Sequence, residues 1–309
     1  MQKEAEKKFG KVAVLFGGNS RERDISLQSG AAVVRALEEK SIDVVALDTS
    51  KLNIESLKAC DRAFIALHGV GGEDGQIQAL LEFLNIPYTG SGVAASAIAM
   101  DKVLTKKIWR STGLKSADSF VVRNVEEATE KTNFLGLPVI FKPSLEGSSV
   151  GISKVNSSEQ IRAAFNEADK PGQQVLVEKF IHGDEFSVGL VDGEVLPSVR
   201  LSTKREFYDF QAKYLDDDTQ YFCPAGLKDK DEQELRALAK KAFYELGCSG
   251  WGRVDFIRDK TGAFFCLEVN TVPGLTSHSL VPMEAKVCGY GFSDLIVKIL
   301  ATTFEKSKK

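Results

Sequence analysis

The sequence predicts a protein that changes character along its length: an open parallel α/β sheet first, then α+β units built on antiparallel strands. Three observations carry this. About the first ninety residues alternate short apolar, β-branched runs with helical spacing, the βαβ order of a parallel sheet. From Ala117 onward, short strands follow one another and end in a hairpin, Arg253 to Asn270, around the turn residues Asp259-Lys260-Thr261-Gly262. Several of these later strands carry charge among apolar neighbours, where a plain core strand carries none.

Lys11 to Phe16 is an apolar run that reads as a buried parallel strand. The loop Gly17-Gly18-Asn19-Ser20 follows, and the spacing of Ile25, Leu27, Ala31, Val34 and Leu37 predicts a helix starting near Glu22 to Ser26. Val44 to Leu47 and Arg62 to Leu67 are the next strands. Ligands of open parallel sheets sit at the carboxyl ends of the strands, where Gly17-Gly18 and the loop from His68 to Gly75 both fall. GGNSRE is not the G-x-G-x-x-G of a dinucleotide site, which is excluded. Glu22 is either a favourable partner of the helix dipole or a recognition point for a ligand ammonium. Taken alone, His68 is more simply a hydrogen-bonded loop histidine than a base.

The turn-rich Pro87 to Gly92 joins this domain to a helical stretch, Val93 to Ser111, in which Lys102 is a solvated lysine or a phosphate contact. Strands are predicted at Ala117 to Val122, Val139 to Pro143, Gly151 to Val155 and Val175 to Phe180, with helices near 125–132 and 158–168. Lys142 lies in the apolar strand VIFKP, where a lysine needs an anionic partner. The small-residue loop Glu146 to Gly151 follows it, and its amides suit phosphate oxygens as well as they suit a plain hairpin turn. Lys179 stands in a second such strand, and two strand lysines flanking a glycine loop favour a nucleotide triphosphate. Phe186 to Leu190 and Val195 to Leu201 continue as antiparallel strands, and Phe207 to Pro224 is a long irregular segment whose aromatics suit a lid. An amphipathic helix, Asp231 to Leu246, precedes the hairpin; a hydroxyl-rich loop, Thr276 to Val281, and a closing helix, Phe292 to Phe304, come after it. In the hairpin, alternation puts Arg253 with Asp255 on one face and Glu268 with Asn270 on one face. Folding near Lys260–Thr261 brings the pairs opposite each other. The set is either a salt-bridged hairpin or a group of oxygen ligands for Mg²⁺.

The 309 residues suffice for two or three domains. A net charge of −3 gives no basis for nucleic-acid binding or electrostatic membrane attachment. No apolar run approaches the roughly 18 residues of a membrane span, and the charged MQKEAEKKFGK is unlike a signal peptide. The five cysteines are dispersed without metal spacing, so a reducing, cytoplasmic setting is expected.

In order, the chain reads LFGGNSRERDIS, ALHGVGGEDGQIQ, YTGSGVAASAIAMDK, FKPSLEGSSVGISKV, EKFIHGDEFSV, AKYLDDDTQYFCPA, GWGRVDF and LEVNTVPGLTSHSLVP. This series resembles the D-alanine–D-alanine ligase family of the ATP-grasp superfamily, from about Lys11 to Leu300. The resemblance implies an amino-terminal α/β domain over 1–98, a central ATP-grasp subdomain over 99–181, and a carboxy-terminal one over 182–309 with a lid at 207–224. It implies ATP between the last two, with Lys142, Lys179 and Lys102 on the phosphates, the strand edge Glu178, Lys179, Phe180 and Ile181 on adenine, and Glu185 on the ribose. Asp255, Glu268 and Asn270 would bind two Mg²⁺ ions, with Mn²⁺ as an alternative. Glu22 would face the ammonium of the first D-alanine, with Ser148 and Tyr214 linked to it. Arg253 and the Gly274 amide would stabilise an oxyanion, Ser277, Ser279 and Leu280 would meet the second substrate, and His68 would line the site.

The implied reaction makes D-alanyl-D-alanine for peptidoglycan precursors through an acyl phosphate, in a cytoplasmic homodimer. The lid sequence follows the dipeptide-forming pattern rather than that of relatives using D-lactate. Val272, where the family often has serine, and Phe180, where tryptophan also occurs, lie outside the charged set. The competing readings are an ATP-grasp ligase for other amino acids and a nucleotide-binding regulatory protein.

Overall fold

The computed structural model describes residues 9–147, 151–202, 220–276 and 279–306. The amino-terminal strands β1 (Val12–Phe16), β2 (Val44–Asp48) and β3 (Arg62–Ile65) form a parallel sheet in the order β2-β1-β3. Val12 to Leu15 are completely buried, as befits a central parallel strand covered on both faces. Helix α1 (Arg23–Glu39) packs closely on β1 because Gly30 carries no side chain: a Cβ there would lie 2.4 Å from the Phe16 ring. Helix α2 (Gln76–Phe83) follows the glycine-rich loop after β3.

The stretch expected to run as one helix from Val93 to Ser111 is two, α3 (Val93–Met100) and α4 (Lys102–Ser111). Asp101 breaks it: its backbone is extended, and its side chain accepts from the amides of Val103 and Leu104 as an N-cap. Restarting at Lys102 puts Lys102 and Lys106, four residues apart, on one face of the new helix.

The central unit is an antiparallel sheet of β4 (Ser119–Val122), β5 (Val139–Pro143), β6 (Ser153–Val155) and β7 (Val175–Lys179), ordered β4-β7-β5-β6. Helices α5 (Val125–Leu135) and α6 (Ile161–Ala168) cover one side through Ala128, Ile161, Ala164 and Phe165. The carboxy-terminal sheet contains β8 (Gly183–Val191), β9 (Glu194–Val195), β10 (Val199–Ser202), β11 (Gln220–Phe222), β12 (Trp251–Asp259) and β13 (Phe264–Asn270). Its order is β11-β10-β8-β12-β13, with β9 also paired to β8. Helix α7 (Asp229–Glu245) buries Leu235, Ala239, Ala242 and Phe243 against this sheet.

The strand expected over Val195 to Leu201 is interrupted at 196–198, where Pro197 has no amide hydrogen and the Ser198 amide donates to Glu232 at 2.9 Å. Helix α8 (Leu280–Val287) puts the buried Glu284 against β8. The Glu284 carboxyl accepts from the Gly189 amide at 2.6 Å, in the space a Gly189 side chain would fill. Of the segment 207–224, residues 207–219 lie outside the described set, and Gln220–Phe222 is a strand paired with β10. The closing helix α9 (Phe292–Ala301) returns to the amino-terminal domain: Leu295, Ile296, Ile299 and Leu300 share a core with Val12 to Leu15 and Leu37. Among the described residues, no single helix is long and apolar enough to cross a membrane.

Candidate active site

A cleft of about 1100 Å³, its open mouth included, runs between the central and carboxy-terminal sheets. Lys102, Lys106, Lys142, Glu178, Glu185, Arg253, Asp255 and Glu268 are among the residues that line it.

The central wall comes from β5, β7 and α4. Ile140 pairs with Glu178, so Lys142, two residues on, shares the face of Glu178. The Glu178 carboxylate is held on one oxygen by the Lys142 ammonium and on the other by the Lys106 ammonium at 2.9 Å. All three side chains are at most 5% exposed. Burial alone would raise Glu178, but the two lysines outweigh it and hold the carboxyl down at about 2. Burial pulls Lys106 below the ordinary lysine value against the attraction of Glu178. Two ammonium groups on one carboxylate leave an excess of positive charge facing the cleft, and the Lys102 ammonium, on the Glu146 carbonyl at 2.6 Å, adds to it. Phe180, Ile181 and Glu185 border the same space.

Lys179 lines the cleft as well, while its ammonium donates to the Gly136 carbonyl at 2.7 Å. Lys106 was not foreseen. Its only sequence signal is its position four residues after Lys102, which becomes meaningful once Asp101 is recognised as a helix cap.

The facing wall is the hairpin β12–β13. The chain reverses through a three-residue loop: the Asp259 amide bonds to the Ala263 carbonyl, and Gly262 takes φ +89°. This loop sets Arg258 opposite Phe264 and Phe256 opposite Cys266. Continued unbroken, that register would put Glu268 opposite Val254, on the face covered by α7. A one-residue bulge at Leu267 resets it, so that Asp255 faces Glu268 and Arg253 faces Asn270. The four expected side chains therefore share a face, through a longer turn compensated by a bulge.

Arg253 grips Asp255 with two bonds, Nε to Oδ1 at 2.8 Å and a terminal nitrogen to Oδ2 at 2.7 Å. Ser187 of β8 donates to Asp255 Oδ1 at 2.8 Å, and the Asn270 amide donates to Oδ2 at 3.0 Å, which turns the Asn270 oxygen away from Asp255. Asp255, Glu268 and Asn270 thus bring two carboxylates and an amide, all hard-oxygen donor types, to one face, with Asp255 bonded here to Arg253, Ser187 and Asn270. They fit Mg²⁺, which keeps waters and takes substrate phosphate oxygens, better than a metal needing a closed cage. Among the described residues, no cluster of three or more His, Cys, Asp or Glu makes such a cage.

The amino-terminal domain closes one end. The Glu22 carboxylate lies against two glycine loops: a Cβ on Gly69 would fall 2.3 Å from its Oε2, and one on Gly147 3.4 Å from it. Glu73 accepts from the Gly69 amide at 2.8 Å and from the Val272 amide at 3.3 Å, and burial, reinforced by Glu22, raises its carboxyl. His68 is buried and shares Nε2 with Ser29 at 2.9 Å and Nδ1 with the Val272 carbonyl at 2.9 Å. Burial lowers the imidazole to about 4, so it is neutral. The Val272 carbonyl can only accept, which puts the proton on Nδ1 and leaves Nε2 to accept from Ser29. Both ring nitrogens are thus committed to protein groups. Gly274 is half-buried, Ser279 Oγ accepts from the Thr276 amide at 3.0 Å, and Leu280 borders the cleft. Ser148, Tyr214 and Ser277 lie outside the described residues. Ser29, Glu73 and Ser187 join Lys106 as site residues that sequence reasoning missed.

Two antiparallel α+β units closing on a cleft with lysines on one wall and clustered acidic groups on the other, with a parallel α/β domain at its end, define an ATP-grasp ligase. A family model described as D-ala D-ala ligase C-terminus matches residues 108–301, and one described as D-ala D-ala ligase N-terminus matches 11–53 and 47–91. The chain is 33% identical to a D-alanine–D-alanine ligase from Bacillus anthracis, with a TM-score of 0.85 over 96% of this chain and 98% of that one. That enzyme's complex with ATP aligns at 30% identity and a TM-score of 0.84, over 96% and 98% of the two chains. The VanG D-Ala:D-Ser ligase from Enterococcus faecalis aligns at 29% identity and 0.83, over 95% and 99%. The chain belongs to the D-alanine–D-alanine ligase family.

Proposed function

We propose that this protein joins two molecules of D-alanine, at the expense of ATP, into D-alanyl-D-alanine for peptidoglycan precursors. The observation that carries the reading is the pairing of walls within one cleft: the Lys142–Glu178–Lys106 cluster faces Arg253, Asp255 and Glu268. Adenine fits along Glu178, Phe180 and Ile181, where the Glu178 carboxylate is fixed and ionised. Glu185 takes the ribose hydroxyls, and Lys102 and Lys142 neutralise the phosphates. Lys179 lines the same edge of the cleft, with its ammonium on the Gly136 carbonyl.

Asp255, Glu268 and Asn270 would hold two Mg²⁺ ions, with Mn²⁺ an alternative, and these would supply charge neutralisation on the transferring phosphoryl group. Glu22 receives the ammonium of the first D-alanine, whose carboxylate attacks the γ-phosphate and becomes an acyl phosphate. The second D-alanine, held by its carboxylate at Ser279 beside Leu280, attacks the acyl carbon with its amine. Negative charge then develops on the former carbonyl oxygen, where Arg253 and the Gly274 amide stabilise it. Arg253 is pre-aimed by its two bonds to Asp255, so little reorganisation is needed as that charge forms. Phosphate departs and the peptide bond remains. The same reading makes the protein a cytoplasmic homodimer, which sedimentation at assay concentration tests.

The test is phosphate release by purified protein with ATP, Mg²⁺ and D-alanine, with parallel D-serine, D-lactate and L-alanine arms and mass spectrometry of products. D-alanine-dependent release with a D-alanyl-D-alanine mass is expected. A mixed D-alanyl-D-serine product dominating when both amino acids are present would move the protein to the activity in VanG's name. ATP binding without turnover on any amino acid would favour a regulatory role.

A further inference from the structure

Resting on the ligase reading, we infer that Ser29, His68 and Glu73 of the amino-terminal domain are positioning residues that aim the Gly274 amide at the reacting carbonyl. The segment Val272 to Leu275 leaves β13 directly after the metal-facing Asn270. It has no secondary-structure ladder to fix it, and its fixing groups come from about 200 or more residues earlier in the chain. The Val272 amide donates to Glu73 at 3.3 Å, and its carbonyl accepts from His68 at 2.9 Å. The Leu275 amide donates to Ser29 Oγ at 3.2 Å.

These bonds form a relay with one consistent direction. His68 donates to Val272 and accepts from the Ser29 hydroxyl, which leaves a Ser29 lone pair for Leu275. Ser29 and Leu275 are fully buried, and His68 and Val272 nearly so, so water does not compete for the bonds. Ser26, one helical turn before Ser29, ties α1 to the strand ends through Gly17 and Ala66, which makes the support rigid.

What the relay leaves over is informative. Pro273 has no amide hydrogen, and the Thr276 amide is taken by Ser279. Among the described residues, nothing accepts from the Gly274 amide. Among the described residues it is the one N–H between Val272 and Thr276 without a protein acceptor, on a half-exposed residue between the buried Pro273 and Leu275. A Cβ on Gly274 would come within 3.0 Å of Ser279 Oγ, so a side chain would crowd that approach. The docking of the amino-terminal domain is thereby built into the oxyanion site itself.

The oxyanion exists only in the second step, and this separates positioning from general support. Two rates are measured for the parent, Ser29→Ala and Glu73→Gln: D-alanyl-D-alanine formation, and D-alanine-dependent exchange of the β,γ-bridging oxygen of ¹⁸O-labelled ATP, which reports acyl-phosphate formation. Dipeptide formation is expected to fall about 10- to 100-fold, the scale of a displaced oxyanion donor, with exchange and the KM for ATP within about twofold of the parent. Should Ser29→Ala fail to fold, the isosteric Glu73→Gln carries the comparison. Exchange and dipeptide formation falling together would overturn the positioning role in favour of plain structural support. Dipeptide formation at the parent rate in a folded variant would overturn it outright. A parent with no D-alanine-dependent turnover would overturn the ligase reading and the inference with it, whereas a working parent confines failure to the inference.

Discussion

Replacing Lys106 by methionine tests whether the buried cluster on the central wall is built for the nucleotide. The Lys106–Glu178 separation of 2.9 Å corresponds to a gross attraction of about 6 kcal/mol at an effective dielectric near 20. Desolvation of the ammonium opposes this, which is why Lys106 is shifted down while Glu178 is held down. Removing one partner of a buried pair costs about 3–5 kcal/mol when the other is orphaned. Glu178 keeps Lys142, so a smaller loss, about 2–3 kcal/mol, is expected for Lys106→Met. Urea denaturation at pH 7 measures it, with an unchanged m-value showing that the unfolded reference has not moved. The carboxylate, freed on one side, should also raise the KM for ATP about tenfold, with kcat less affected. Glu178 is depressed, so its contribution is present above about 4.5 and lost as pH falls towards about 2. In Lys106→Met that acid limb should be shallower and should end at higher pH, because the folded value rises towards the unfolded one. A stability loss below about 0.5 kcal/mol, within the range of ordinary surface changes, together with an unmoved KM for ATP would refute the reasoning.

Arg253→Ala should lower kcat about 10²- to 10³-fold, the cost of an oxyanion donor, and a loss under about tenfold in a folded variant would remove it from that role. His68 titrates near 4 in the fold because burial disfavours its charge, so the unfolded chain binds more protons between about pH 6.5 and 4. Its stabilisation is complete above about 6.5 and lost as pH falls through about 4, a difference of about 3 kcal/mol. Denaturation curves across that window should be flatter for His68→Gln, and parallel curves would contradict the assignment. Gly189→Ala would set a methyl 2.2 Å from Glu284 and should cost about 1–3 kcal/mol. In a Glu284→Ala background the same change should cost much less, as chemical denaturation of the double-mutant cycle would read out.

The residues that proved legible in the sequence are those whose placement depends on short-range periodicity. Alternation paired Arg253 with Asp255 and Glu268 with Asn270, and an apolar strand around Lys142 implied the anionic partner found in Glu178. Lys179, one residue beyond Glu178 on the same strand, lines the cleft too, with its ammonium on the Gly136 carbonyl. Lys106 was hidden behind a helix break that Asp101 signals by its capping side chain. His68 and Glu73 had no such signal, because their partner Val272 is 204 and 199 residues away and is met through its backbone, which every residue possesses.

The hairpin shows why local rules run out where function begins. Its Asp259–Ala263 turn is well specified, by Gly262 at positive φ and by the Asp259 carboxylate on the amides of Thr261 and Ala263. Obeyed along the whole ladder, that turn would bury Glu268 and Asn270 against α7 beside Val254 and Phe256, where a carboxylate has no partner. The extra residue, Leu267, forfeits regular pairing at one point and returns Glu268 and Asn270 to the face of Arg253 and Asp255. The cost of that irregularity is set against the far larger cost of burying the carboxylate, so the polar pattern of β13 selects the bulge as strongly as the turn selects the hairpin.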